Sequence, residues 1–123
     1  MMCDILSSYI STIKGKRVLI FGLGLQGGGV GAATFFCQYG AQVRVTDLKT
    51  RDQLAESIAQ LANFPSIDYK LGGHSYDDID WAEIILVNQD VWNKNPNSEY
   101  IKYAREKRKT IESEIGLFFK LCK

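Results

Sequence analysis

The sequence predicts an α/β fold: a Rossmann-like three-layer domain built on a parallel sheet of about five strands. Three observations point there. Short apolar, β-branched runs alternate along the chain with stretches of helical period, the pattern of a parallel sheet with right-handed crossovers. The first of these runs, Arg17-Val18-Leu19-Ile20-Phe21, passes directly into the glycine-rich turn Gly22-Leu23-Gly24-Leu25-Gln26-Gly27 and then into a helix-like segment. An acid, Asp47, follows at once after the next run. Strand, glycine turn, helix, strand and acid in that order make a unit that holds a nucleotide phosphate.

The elements follow in order. Ile5, Leu6, Tyr9, Ile10 and Ile13 recur at helical spacing, so the chain opens with an amphipathic helix that Lys14-Gly15 stops. Strand 1 covers residues 17–21. Residues 28–39 form a helix rich in small residues (Gly29, Gly31, Ala32, Ala33), which trades helix propensity for close contact with the sheet. Gly40 ends it, and strand 2, residues 42–46, delivers Asp47. Residues 51–63 read as a helix with Leu54, Ile58, Leu61 and Ala62 on one face, broken by Phe64-Pro65. Residues 67–71 alternate as strand 3 and end at Gly72-Gly73. A short segment over residues 76–81 leads to Ile84-Ile85-Leu86-Val87, continuous and apolar as a strand covered on both faces is. Asn95-Pro96 caps and opens a helix running toward Arg105. Thr110-Ile111-Glu112 makes strand 5, and Ser113 caps a last helix whose Leu117, Phe118, Leu121 and Cys122 form an apolar stripe that needs a partner.

The 123 residues make one domain, with an ordinary 46% hydrophobic and 24% charged content. A net charge of +1 gives no reason to invoke nucleic acid, and the basic residues between 102 and 109 read as a solvated helix face. No apolar run approaches the roughly 20 residues that span a bilayer, and the start lacks a signal peptide's basic and apolar regions. Cys3, Cys37 and Cys122 are odd in number and widely spaced, which fits free thiols in the cytoplasm and neither a disulfide framework nor a metal site.

Ligands of parallel sheets bind outside the carboxyl ends of the strands. The segments expected there are residues 22–27, 47–50, 72–75 and 88–92. In the glycine turn one glycine permits the bend, one lets backbone N–H groups approach a diphosphate, and one lets the helix lie close on the sheet. Asp47 stands where an acid meets a ribose or base. His74, the only histidine, reads as a residue that hydrogen-bonds within its turn, and Trp81 and Trp92 as packing groups. Asp77, Asp78 and Asp80 lack the spacing of a calcium loop.

With these residues in place, the chain resembles the N-terminal domain of the UDP-N-acetylmuramoyl-L-alanine:D-glutamate ligases, Mur ligases of peptidoglycan synthesis. The resemblance runs from Gly15-Lys16 through the glycine turn, Gly40-Ala41, Thr46-Asp47, Gly72-Gly73-His74 and Asn95-Pro96. It continues through Glu112-Ser113-Glu114-Ile115 to Leu117-Phe118-Phe119. It implies an enzyme that joins D-glutamate to UDP-N-acetylmuramoyl-L-alanine with ATP and Mg2+ through an acyl phosphate. The N-terminal domain would hold the UDP end of the substrate, with ATP and the amino acid on further domains of the same enzyme. The chain contains no GxxxxGK[ST] phosphate loop, so this segment alone is expected to be inactive, with no catalytic residue, metal or cofactor of its own. By the same resemblance Gly24, Leu25, Gln26 and Gly27 meet the diphosphate, while Asp47, Leu48 and Lys49 meet the uracil and its ribose. Asp90 stands where the family places the glycine of Ser-Pro-Gly. A carboxylate there opposes a diphosphate by about 4 kcal/mol for unit charges about 4 Å apart at an effective dielectric of about 20.

An alternative of another class is an NAD(P)- or FAD-type dinucleotide-binding domain of an oxidoreductase or redox sensor. The glycine turn and Asp47 suit both. Asn95-Pro96 and the segment from Glu112 to Phe119 are features that a dinucleotide domain does not require.

Overall fold

Five strands pair in parallel in the order β3-β2-β1-β4-β5. They are β1 (Arg17–Phe21), β2 (Gln42–Asp47), β3 (Asp68–Leu71), β4 (Ile84–Val87) and β5 (Thr110–Ser113). The computed structural model describes residues 4–25, 28–94 and 98–113, and only the backbone of Asp90 and Trp92. The helices are α1 (Asp4–Ile13), α2 (Gly28–Gln38), α3 (Ala55–Ala59), α4 (Tyr76–Trp81), α5 (Gln89–Lys94) and α6 (Glu99–Glu106). No helix among the described residues is long and apolar enough to cross a membrane. The Rossmann-like α/β architecture expected from the alternating runs is the one observed.

Strand alternation divides the core. Val18 and Ile20 of β1 join Val43, Val45 and Leu86 on one face, under Ile13, Val30, Ala33, Phe36, Leu54 and Leu61. Leu19 and Phe21 point the other way and join Ile85 and Val87, under Ile79, Ala82, Ile101 and Ala104. The two outermost strands, β3 and β5, expose more side chain than the central ones. The chain extends the sheet from β1 through β2 to β3, then crosses to β4 on the other side of β1. The strand order therefore reverses between β1 and β4, and a crevice opens at their carboxyl ends.

Several boundaries differ from the sequence-based expectation. The apolar stripe of α1 is narrower than its sequence, since Leu6, Tyr9 and Ile13 meet the core while Ile5 is 48% exposed. The helix expected over residues 51–63 is α-helical only over Ala55–Ala59. On either side Leu54, Leu61 and Ala62 donate to carbonyls three residues back, tightening the ends into turns while keeping Leu54 and Leu61 buried; Ala62 is exposed. α5 forms over residues to which the sequence assigns no element. α6 begins later than Asn95-Pro96 suggests: Ser98 caps it, accepting from the Tyr100 N–H at 3.2 Å. Residues 95–97 lie outside the described residues. Ser113 pairs with Val87 as the last residue of β5, and the helix expected after it lies outside the described residues.

Arg44 ties the β2–β3 edge to α4. Its Nε lies 2.9 Å from Asp68 Oδ2, its Nη1 lies 3.1 Å from Asp78 Oδ1, and its guanidinium lies 4.2 Å from the Trp81 ring centroid. Burial pushes the Asp78 carboxyl up, and Arg44 opposes that shift. Arg44→Met is therefore expected to destabilise the domain by about 2 kcal/mol in denaturant titration, because it leaves the buried Asp78 unpaired. Adding Asp78→Asn should restore part of that loss. Equal stability of wild type and single variant would mean the pair contributes nothing.

Candidate functional site

A cleft of about 480 Å³ opens at the carboxyl ends of β1, β2 and β4, where the strand order reverses. Phe21, Gly22, Gly24 and Leu25 come from the glycine turn, and Asp47, Leu48 and Lys49 from the end of β2. His74 follows β3, and Asn88, Val91, Lys94, Ser98 and Tyr100 come from the stretch after β4. A larger open groove of about 650 Å³ lies toward the amino ends of β4 and β5, along Tyr9, Lys16, Glu83, Ile84 and Thr110. Position relative to the strands favours the first as the ligand site.

The glycine turn is held from three sides. Gly22 and Gly24 have φ of +95° and +71°, conformations that side-chain-bearing residues rarely adopt. From β2, the Gly22 N–H donates to the Thr46 carbonyl at 2.8 Å. Asp47 Oδ2 accepts from the Leu23 and Gly24 N–H groups at 2.9 and 3.1 Å, and its Oδ1 accepts from the Lys49 N–H at 2.9 Å. From β4, the Asn88 amide donates to the Gly22 and Leu23 carbonyls at 3.2 and 3.4 Å. From α3, the Ser57 hydroxyl donates to the Gly24 carbonyl at 2.8 Å. The glycine that permits close helix packing is Gly29: a Cβ there would lie 2.1 Å from the Leu23 carbonyl oxygen. Gly27, to which the motif gives that duty, lies outside the described residues.

Three successive N–H groups, those of Gly22, Leu23 and Gly24, therefore have acceptors inside the fold. The next one, of Leu25, has none among the described residues. The acid at the end of β2 faces the turn rather than the open cleft, and Asp47 is only 6% exposed. Leu25 and Leu48 flank the opening at 57% and 70% exposure, ready contacts for the face of a planar ligand.

An aromatic wall closes the opposite side. His74 stacks on Phe21 with centroids 4.0 Å apart and meets Tyr100 edge-on at 5.5 Å. Its Nδ1 lies 2.9 Å from the buried Thr46 hydroxyl, and the Tyr100 hydroxyl donates to its backbone carbonyl at 3.3 Å. Burial pushes the imidazole below its ordinary value of 6.5, with the nearby Asp47 carboxylate opposing that shift. A histidine with a lowered folded-state pKa binds fewer protons when folded than when unfolded. Its contribution to stability is thus complete above pH 6.5 and is lost as pH falls through the lower folded value. Stability measured by denaturant should fall more between pH 7.5 and pH 5.5 in wild type than in His74→Gln. The same fall in both proteins would assign it to other groups.

Of the residues expected from sequence to bind a ligand, Gly24, Leu25, Asp47, Leu48 and Lys49 line this one cleft. Gln26 and Gly27 lie outside the described residues. Asp90 lies on α5 with only its backbone described. Sequence reasoning missed Ser57, Phe21, Lys94, Ser98 and Tyr100; it placed residues 72–75 and 88–92 at the ligand end of the sheet but gave His74 and Val91 no contact with a ligand. Asn88 had a signal, its place directly after a buried strand. Lys94 and Tyr100 had none, because only the placement of α5 and α6 brings them to the cleft.

No family model matches the chain. Curated relatives do. It is 46% identical over 110 residues to the UDP-N-acetylmuramoylalanine–D-glutamate ligase of Roseiflexus sp. (strain RS-1), covering 89% of this chain and 23% of that protein. The enzyme of the same name from Treponema pallidum (strain Nichols) is 38% identical, over 89% of this chain and 20% of its own length. That of Borreliella burgdorferi (strain ZS7) is 42% identical, over 89% and 23%. The chain thus spans less than a quarter of the length of these relatives. Among solved structures, nitrogenase Cp1 at pH 6.5 superposes with a TM-score of 0.58 at 18% identity, over 89% of this chain and 24% of that one. A dipicolinate synthase chain from Bacillus halodurans gives 0.55 at 16%, over 95% and 47%. At those identities the structures show a shared fold alone. The sequence relationship is closer: over 89% of its length, this chain is homologous to the N-terminal segment of the UDP-N-acetylmuramoylalanine–D-glutamate ligases.

Proposed function

We propose that this chain is the UDP-substrate recognition domain of a UDP-N-acetylmuramoylalanine–D-glutamate ligase, working in the cytoplasm in peptidoglycan synthesis. The observation that carries this reading is the 46% identity over 89% of the chain, which runs through every segment lining the cleft. In this reading the diphosphate of UDP-N-acetylmuramoyl-L-alanine lies against the N–H groups of Leu25 and Gln26, beside Gly24 and Gly27. The uracil and ribose lie among Asp47, Leu48 and Lys49. The Lys49 ammonium supplies positive charge to the base or phosphate, and Asp47 acts by holding the turn in shape. The domain binds and orients one end of the substrate. Amide formation, with ATP, Mg2+ and D-glutamate, belongs to further domains, and the segment alone turns nothing over.

The dinucleotide alternative is weaker on a physical ground. A dinucleotide domain turns the acid after the second strand toward the ribose, whereas here that carboxylate holds the Leu23 and Gly24 N–H groups. Titration of the labelled domain with UDP-N-acetylmuramoyl-L-alanine, UDP and NAD, followed by amide NMR, tests the reading. Shifts at Leu25 and Leu48 with both UDP ligands and none with NAD are expected. NAD binding would move the protein to the redox class, and silence toward the UDP ligands would refute UDP recognition.

A further inference from the structure

Among the described residues the cleft carries more positive than negative charge. Lys49 and Lys94 both line it, and neither is in an ion pair among the described residues. The cleft's one described acid, Asp47, already accepts three backbone N–H groups, and burial keeps His74 toward its neutral form. The position of Lys94 follows from how α5 is seated. Val91 packs on the glycine turn so tightly that a Cβ at Gly22 would lie 2.8 Å from its Cγ2. Lys94 is three residues further on, hence on the same face of the helix, and both residues line the cleft. The contact that docks α5 on the turn therefore places Lys94 on the same cleft as Leu25, whose N–H has no acceptor among the described residues.

We propose that Lys94 is a specificity-determining residue of this site, binding the diphosphate of a nucleoside diphosphate and setting the preference for UDP over uridine. The proposal rests on the UDP-recognition reading above and adds a residue to it. Lysine suits the task as a compact point charge on a flexible stem.

Calorimetric titration of the full chain with UDP, uridine and pyrophosphate tests this, on wild type, Lys94→Met and Lys94→Arg. Lys94 is exposed at the end of its helix, so the variants are expected to fold. Lys94→Met should bind UDP about tenfold more weakly, the loss of one charge-assisted hydrogen bond, with uridine affinity unchanged. Lys94→Arg should retain UDP affinity, and the wild-type preference for UDP over uridine should shrink at about 0.5 M salt. Wild-type-like UDP binding by Lys94→Met would overturn the role of Lys94 while leaving UDP recognition standing. Pyrophosphate binding as tightly as UDP would overturn it too, by marking a general anion site. If wild type binds neither UDP nor uridine, the recognition reading itself falls, and this inference with it.

Discussion

Gly29→Val is expected to abolish stable folding, with a loss of about 4 kcal/mol or more out of the roughly 5–15 kcal/mol that such domains possess. The space at this position is closed by backbone. A Cβ on Gly29 would lie 2.1 Å from the Leu23 carbonyl oxygen and 2.7 Å from the Leu23 carbonyl carbon and Cα. No rotamer change relieves a clash with main chain, so either α2 lifts from the sheet or the turn moves. The turn cannot move cheaply, because Asp47, Asn88 and Ser57 hold it and the Leu23 side chain is fully buried. Lifting α2 would open the packing of Val30, Ala33 and Phe36 on β1 and β2. Gly31→Ala is the control: it is on the same helix, and the Cβ that alanine adds there meets nothing within 4 Å. That change should be neutral or stabilising by up to about 0.8 kcal/mol from helix propensity. Circular dichroism with urea titration separates the two. A Gly29→Val variant as stable as wild type would mean that α2 does not sit on the turn as described.

Asp47→Ala should lower stability by about 3 kcal/mol and the melting temperature by about 10 °C. Its carboxylate accepts from the N–H groups of Leu23, Gly24 and Lys49, so alanine leaves three donors without their acceptor at once. Asp47→Asn keeps one acceptor oxygen and should lose about half as much. Amide hydrogen exchange at Leu23 and Gly24 should accelerate in Asp47→Ala, and UDP binding should weaken as the turn loses its shape. If stability and exchange stay at wild-type values while UDP binding is lost, the carboxylate serves the ligand directly and the anchoring role is wrong.

Much of the fold is legible in the sequence. The runs at β1, β2 and β4 are apolar and β-branched, and their expected ends fall within a residue of the observed strands, since strands buried on both faces leave little room for another reading. The turn residues Gly22 and Gly24 are readable because only glycine takes their backbone conformations without strain. Where two local signals compete, the sequence misleads. Asn95-Pro96 and Ser98 both suit a helix start, and the observed cap is Ser98, whose hydroxyl meets the Tyr100 N–H. The stretch over residues 89–94, polar and short, has too few apolar positions to show a helical period. It is helical in place because Val91 docks on Gly22 and the Val91 N–H reaches the Asn88 carbonyl.

The same division holds at the site. Local sequence determined the fold class, the glycine turn, the acid at the end of β2 and the end of the sheet where the cleft opens, because each depends on period, backbone conformation or strand order. Tertiary structure alone decided which way Asp47 turns, that Gly29 is the close-packing glycine, and that Phe21, His74, Lys94 and Tyr100 share one cleft. Apart from the Gly29 contact with Leu23, six positions away, those outcomes depend on contacts between residues tens of positions apart, brought together by the crossovers between strands.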